Sequence, residues 1–202
     1  MHVLGESNGA RLTSHGASND GHIQLIVGPM FSGKTTELIR RMRRYDVSNH
    51  RCYLIKYAKD DRYDAENVST HDQAKMTASV CLRLADVEAA ALNFDVIGVD
   101  EGQFFPDVVC FAEKMAGLGK VVIVAALDGT YQREGFPNIM KLLPLSESII
   151  KLMAVCMVCY REAAFTKRIG SETEVEIIGG TDKYMAVCRK CYNSSDPKSA
   201  PK

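Results

Sequence analysis

Short apolar runs and helix-spaced apolar positions take turns along the first three-quarters of this chain. Ile23-Gln24-Leu25-Ile26-Val27 is a β-branched, apolar run that predicts a buried strand. Residues 36–45 follow with Leu38, Met42 and Tyr45 at i, i+4 and i+7, one face of a helix. Residues 51–57 and 95–99 predict two more strands, and residues 86–92 and 106–118 two more helices. Residues 120–126 are apolar almost without interruption, the pattern of a strand buried on both faces of a parallel sheet. A fifth strand is predicted over 149–155, whereas residues 64–85 show no readable period. Strands and helices alternating over short connections predict an α/β domain.

The pattern thins at both ends. Residues 1–21 are rich in Ser, Gly, Asn and His and read as a disordered leader; residues 193–202, polar with two prolines, read as a disordered tail. The chain then divides into 22–150, the α/β domain, and 151–192, a smaller C-terminal unit. Within that unit residues 174–178 alternate like a half-exposed strand, and residues 179–184 form a loop.

Composition narrows the function. The 202 residues, 46% of them hydrophobic, suit one globular domain plus a small module. Lys and Arg number 25, as do Asp and Glu, and this neutral balance argues against a nucleic-acid partner. Arg40, Arg41, Arg43 and Arg44 spread around a helix, so most are expected in solvent with one or two facing phosphate. No stretch approaches the roughly 18 apolar residues of a membrane span, and the N-terminus has no signal-peptide core. Seven cysteines without such a signal point to a cytoplasmic location, and to metal or chemistry in place of disulfides. Cys81 and Cys110 stand alone and are expected to be buried thiols.

The candidate chemistry lies where predicted strands end. Gly28-Pro29-Met30-Phe31-Ser32-Gly33-Lys34-Thr35, between the first strand and the first helix, matches the phosphate-binding loop G-x-x-x-x-G-K-[ST]. Successive backbone N–H groups of such a loop face a concavity that accepts phosphate oxygens. Gly28 and Gly33 allow torsions and close approach that a Cβ obstructs. Lys34 can reach the β- and γ-phosphates of a nucleoside triphosphate such as ATP, and the Thr35 hydroxyl can ligate Mg²⁺. The strand at 95–99 runs into Asp100-Glu101, the second half of such a site, with Asp100 for Mg²⁺ and Glu101 suited to a general base. Gly102-Gln103-Phe104-Phe105 continues into the site, Gln103 on the nucleotide side. Asp60 and Arg62 follow the second strand at the ligand-binding edge of the sheet, where they either reach phosphate or Mg²⁺ or stay solvated.

The smaller unit carries Cys156-Met157-Val158-Cys159 and Cys188-Arg189-Lys190-Cys191, two C-x-x-C pairs with residues 160–187 between them. Four thiolates so paired converge on a tetrahedral site that suits Zn²⁺, whereas a redox dithiol needs one pair. Four ligands close the coordination sphere, so the metal is structural. It would pin both ends of the intervening loop, which favours rigid presentation of backbone groups to a ligand.

Five stretches in this order resemble one family: residues 28–35, Lys-Tyr-Ala-Lys-Asp at 56–60, Asp-Glu-Gly-Gln-Phe-Phe at 100–105, Ala-Leu-Asp-Gly-Thr at 126–130 and the two Cys pairs. The chain resembles the zinc-containing, cytosolic-type (type II) thymidine kinases over roughly residues 23–192. The resemblance implies a P-loop, RecA-like parallel sheet flanked by helices, with a small zinc-ribbon and lasso domain. It implies transfer of the γ-phosphoryl group of ATP to the 5′-hydroxyl of thymidine, with Glu101 taking the proton, Lys34 and its loop holding the triphosphate, and Asp100 with Thr35 organising Mg²⁺. Asp60 and Arg62 would lie near the phosphates. Met30, Phe104, Leu127, Tyr131, Phe136 and Tyr184 match positions around the nucleoside. A lasso over residues 175–184, with Val175, Ile177, Gly179 and Thr181, would read the base largely through main chain. Members of the family assemble as tetramers or dimers and act in deoxynucleotide salvage. Two departures stand near the substrate: Tyr131 where Phe is usual, and Arg133-Glu134-Gly135-Phe136 in place of Arg-Lys-Pro-Phe. The short tail after Cys191 is expected to leave little room for the C-terminal degradation signals of some members.

Two other functions compete. A P-loop ATPase or motor would use Glu101 to activate water and would turn over ATP without nucleoside. A zinc-ribbon binding module would leave the phosphate loop and Asp100-Glu101 unexplained.

Overall fold

The computed structural model describes residues 20–59, 77–169 and 181–194. Asp60, Arg62, Val175, Ile177 and Gly179 lie outside these, as do all but the innermost residues of the expected leader and tail. The chain runs β1 (His22–Gly28), α1 (Lys34–Val47), β2 (Cys52–Tyr57), β3 (Thr77–Cys81), a 3₁₀ turn (Leu84–Val87) continuing into α2 (Glu88–Ala91), and β4 (Val96–Val99). A second 3₁₀ turn (Gly102–Phe104), α3 (Val108–Gly117), β5 (Val121–Leu127), α4 (Pro137–Leu142) and β6 (Ser148–Lys151) complete the larger unit. The smaller one holds β7 (Ala154–Val155), β8 (Glu162–Ala163), β9 (Phe165–Arg168), β10 (Tyr184–Val187) and α5 (Arg189–Asn193).

Six strands form one parallel sheet in the order β3-β2-β4-β5-β1-β6. Its inner strands β1, β2, β4 and β5 are largely buried on both faces, so their successive side chains join opposite cores. Ile26, Ile123 and Ala125 pack with Leu38 and Met42 of α1. Their neighbours Leu25, Val27, Val122 and Val124 pack on the other side with Phe111 and Met115 of α3 and Ile139 and Leu142 of α4. Fully burying one such side chain is worth about 1.5–3 kcal/mol, so this double core fixes where the strand ends lie. Among the described residues no helix is long and apolar enough to cross a membrane.

The structure corrects several expectations. β3 arises in the stretch without a readable period: it is an edge strand of mixed Thr, Ala, Ser, Val and Cys, whose Val80 is exposed. The run expected as one strand over 149–155 is two. β6 pairs with β1 at the sheet edge, and its ladder closes with the Leu152 N–H on Val27 O at 2.8 Å. The chain then leaves the sheet, and β7 pairs antiparallel with β8. The division at 150/151 falls inside β6. Cys81 is buried as expected, but Cys110 is exposed, because α3 turns Val108, Phe111, Ala112 and Met115 inward and Cys110 projects from its opposite side. α4, unpredicted, is a short helix with Pro137 at its start and only Ile139 and Leu142 buried. On α1, Glu37 accepts from Arg40 Nε at 2.6 Å and from Arg41 Nε at 2.8 Å.

The smaller unit has its own core of Ala154, Cys156, Ala163, Met185, Ala186, Val187 and Cys191. Two two-stranded antiparallel sheets, β7-β8 and β9-β10, frame it.

Candidate active site

The phosphate loop leaves the C-terminal end of β1 and enters α1, as its sequence requires. Gly28 has φ +150°, and a Cβ there would meet Leu152 O at 2.5 Å. Gly33 caps α1 with φ +81°, a left-handed conformation that glycine adopts without strain. Phe31 adopts φ +64° without that freedom, a strained conformation placed in the loop itself. Pro29 O accepts from Lys34 Nζ and from Ser32 Oγ, both at 2.8 Å. The lysine thus folds back over the loop, within reach of the concavity where phosphate oxygens would sit. Met30 is buried, and its N–H donates to Thr166 Oγ1 of β9 at 3.0 Å.

Asp100 follows β4, two strands from β1 with β5 between. The Thr35 hydroxyl lies 3.0 Å from both its carboxylate oxygens. The carboxyl is 7% exposed and its pKa is pushed up to about 6, by burial first and then by the Glu101 charge, against the Thr35 hydrogen bond. A buried carboxylate beside a hydroxyl is a hard oxygen pair that fits Mg²⁺, and a cation there would offset the cost of keeping Asp100 ionised.

Glu101 also stands in the left-handed region, with φ 54° and ψ 43°. Its N–H donates to Asp100 Oδ1 at 3.1 Å, and its carboxylate accepts from Gln103 Nε2 at 2.6 Å. The side chain of Gln103, expected on the nucleotide side, also accepts the Leu127 N–H at 2.9 Å. Phe104 stacks on Tyr57 with ring centroids 5.2 Å apart.

Leu127 ends β5 and begins the loop that carries Tyr131. This loop is held against the smaller unit. Tyr192 Oη donates to Tyr131 O at 2.7 Å, and the Arg133 guanidinium lies 4.3 Å from the Tyr192 ring centroid. The buried Arg168 guanidinium lies 4.0 Å from the Tyr131 ring centroid and donates to Tyr184 Oη at 2.6 Å. Tyr184 and Arg168 are direct cross-strand partners of β10 and β9. Met30, Thr166, Arg168, Tyr131 and Tyr184 are therefore linked, whereas Phe136 is buried in the main core and Thr181 is exposed. Sequence reasoning missed Thr166, Arg168 and Tyr192; they acquire their places only through the β9–β10 register and α5, and no local pattern marks them.

The four cysteine sulfurs of the two pairs lie within 4.8 Å of one another, and those of Cys159 and Cys188 are 3.6 Å apart. Zn–S bonds of about 2.3 Å in a tetrahedron need sulfurs roughly 3.8 Å apart, so the cluster fits Zn²⁺. The Arg161 Nε donates to Cys159 Sγ at 3.5 Å and draws that thiol down to about 6. Burial and the neighbouring sulfurs push Cys191 up to about 12, since four thiolates at this distance need a cation between them.

Comparison with known proteins adds to the geometry. The family model described as thymidine kinase matches residues 21–192. A thymidine kinase of monkeypox virus is 60% identical over 177 residues, covering 88% of this chain and 99% of that one. The cytosolic thymidine kinase of Gallus gallus is 61% identical over 178 residues, covering 88% and 80%. Among solved structures, the ATPase DotB of Legionella pneumophila is similar with a TM-score of 0.43 and 20% identity, over 72% of this chain and 44% of that one.

Proposed function

The chain belongs to the thymidine kinase family, and from that premise we propose how its residues carry out an ATP-dependent phosphorylation of thymidine. The γ-phosphoryl group of ATP passes to the 5′-hydroxyl of thymidine, or of deoxyuridine. The O5′–Pγ bond forms, the bond from Pγ to the β-γ bridging oxygen breaks, and the hydroxyl proton goes to the Glu101 carboxylate. The loop from Gly28 to Thr35 cradles the triphosphate through its N–H groups, and Lys34 leaves Pro29 O to meet the β- and γ-phosphates. Thr35 and Asp100 would hold Mg²⁺, which when bound neutralises charge growing between the two phosphates. Asp60 and Arg62 complete the phosphate side in this reading.

On the nucleoside side, Met30, Phe104, Leu127, Tyr131, Phe136 and Tyr184 surround the base and sugar, and Val175, Ile177, Gly179 and Thr181 close over them. Zn²⁺ on Cys156, Cys159, Cys188 and Cys191 keeps that side in shape. The protein acts in the cytoplasm as a homotetramer or dimer, supplying dTMP for DNA synthesis by salvage.

The observation that carries this reading is the contact of Thr35 with Asp100, next to Glu101, at the mouth of the phosphate loop. Main-chain groups fixed to suit thymine would meet cytosine donor to donor, leaving groups unpaired at about 1–3 kcal/mol each. Such sites discriminate by roughly 10⁴–10⁵, whereas the C5 methyl of thymine is worth only about 10–200-fold. The test is kcat/KM for ATP with thymidine, deoxyuridine, deoxycytidine and purine deoxynucleosides. Thymidine first, deoxyuridine second and the rest nearly inert is expected; deoxycytidine within tenfold of thymidine refutes main-chain reading of the base.

A further inference from the structure

The side chain of Gln103 is 4% exposed and joins two ends of the site. Its Oε1 accepts the Leu127 N–H at 2.9 Å, and a backbone N–H can only donate, so the amide cannot be turned round. Its Nε2 must then face outward from Leu127, and it donates to Glu101 Oε2 at 2.6 Å. The turn that bears Gln103 is held from a third side. Asn138 Nδ2 donates to Gln103 O and to Phe105 O, both at 3.0 Å. Gly102 packs so closely that a Cβ would meet Val124 Cγ1 at 2.5 Å.

This support matters because Glu101 sits on a left-handed backbone, a conformation that persists only where its surroundings over-determine it. The carboxylate of Asp100 beside it carries a like charge and repels it. A carboxylate in that position is oriented by a neutral donor that holds one of its oxygens.

We propose that Gln103 is a positioning residue for phosphoryl transfer, holding the Glu101 carboxylate in register with the end of β5, from which the Tyr131 loop departs. It acts on the rate through Glu101. The proposal rests on the reading of Glu101 as base.

A double-mutant cycle tests both separately. Gln103→Met preserves volume without hydrogen bonds, and Gln103→Glu keeps an acceptor for Leu127 but loses the donor. Each is made alone and with Glu101→Gln in the zinc-loaded full chain. Single-turnover rate, thymidine affinity, ATP affinity and thermal unfolding are measured. Gln103→Met should lower the rate about 10–100-fold, as expected for a lost hydrogen bond to a charged group, with thymidine and ATP affinities within threefold. In the Glu101→Gln background the same change should alter the remaining rate less than threefold. Equal losses in both backgrounds, or no loss in the first, overturn the proposal while leaving the base assignment intact. Wild-type turnover by Glu101→Gln alone overturns the base assignment and the proposal with it. If Gln103→Met fails to fold, Gln103→Glu decides by the same criteria.

Discussion

The two sides of the site are built in different ways. The phosphate side is one strand, one loop and one helix read straight along the chain, completed by Asp100 and Glu101 at the end of a nearby strand of the same sheet. The side proposed for the nucleoside is assembled from distant parts: Met30 with Thr166, 136 positions apart, and Tyr131 with Tyr192, 61 apart. Its cement is of another kind too, with Arg133 over Tyr192 and Arg168 over Tyr131 beside the small apolar core of that unit. Each such exchange is worth about 0.5–2 kcal/mol, so this side depends on several weak links and on the sulfur cluster beneath them. The phosphate side should therefore lose chemistry when altered, and the nucleoside side should lose affinity.

A large effect is expected from Lys34→Ala. Removing a charge aimed at the phosphates should cost about 10²–10³ in kcat, with thymidine affinity little changed by calorimetry; equal damage to both would erase the contrast. Next is Cys188→Ser, which should release zinc, measured by metal analysis, and weaken thymidine binding about 10–100-fold. Full zinc content with three of the four cysteines replaced would remove the cluster from this account. Tyr192→Phe is subtler. It deletes only the hydrogen bond to Tyr131 O, worth about 0.5–1.5 kcal/mol, so the thymidine KM should rise about 2–10-fold while the KM for ATP stays put.

The smallest effect concerns stability. Folding raises the Asp100 carboxyl from 3.8 to about 6, mainly by burial, so ionisation costs more in the folded chain than in the unfolded one. That cost is absent below the unfolded value, grows through the window up to about 6 and is complete above it. Asp100→Asn should therefore raise the Tm of the protein without nucleotide or Mg²⁺ by about 2–4 °C at pH 8, and by less at pH 5, while turnover is lost. Scanning calorimetry at both values checks the sign.

The same contrast explains what could be read in advance. β1, the phosphate loop and α1 were legible because local spacing carries both their fold and their chemistry. β5 was legible from an unbroken apolar run, and the Cys pairs from ligand spacing alone. β3 was not, since an edge strand needs apolar residues on one side only and Thr77–Cys81 supplies few. Arg168 reads as an ordinary surface charge until the pairing of β9 with β10 sets it opposite Tyr184. Gln103 could be placed near the site but not given a partner, because the Leu127 N–H that orients it belongs to another strand.

The division of labour is tested most directly in one preparation of Glu101→Gln, by following single-turnover phosphorylation of thymidine and measuring thymidine affinity by calorimetry. The substitution keeps the shape of the side chain and removes its ability to take a proton. Phosphoryl transfer should fall by about 10²–10⁴, with thymidine bound within about threefold of its normal strength. Near-normal turnover, or a collapse of thymidine binding that accounts for the lost rate, would contradict the account.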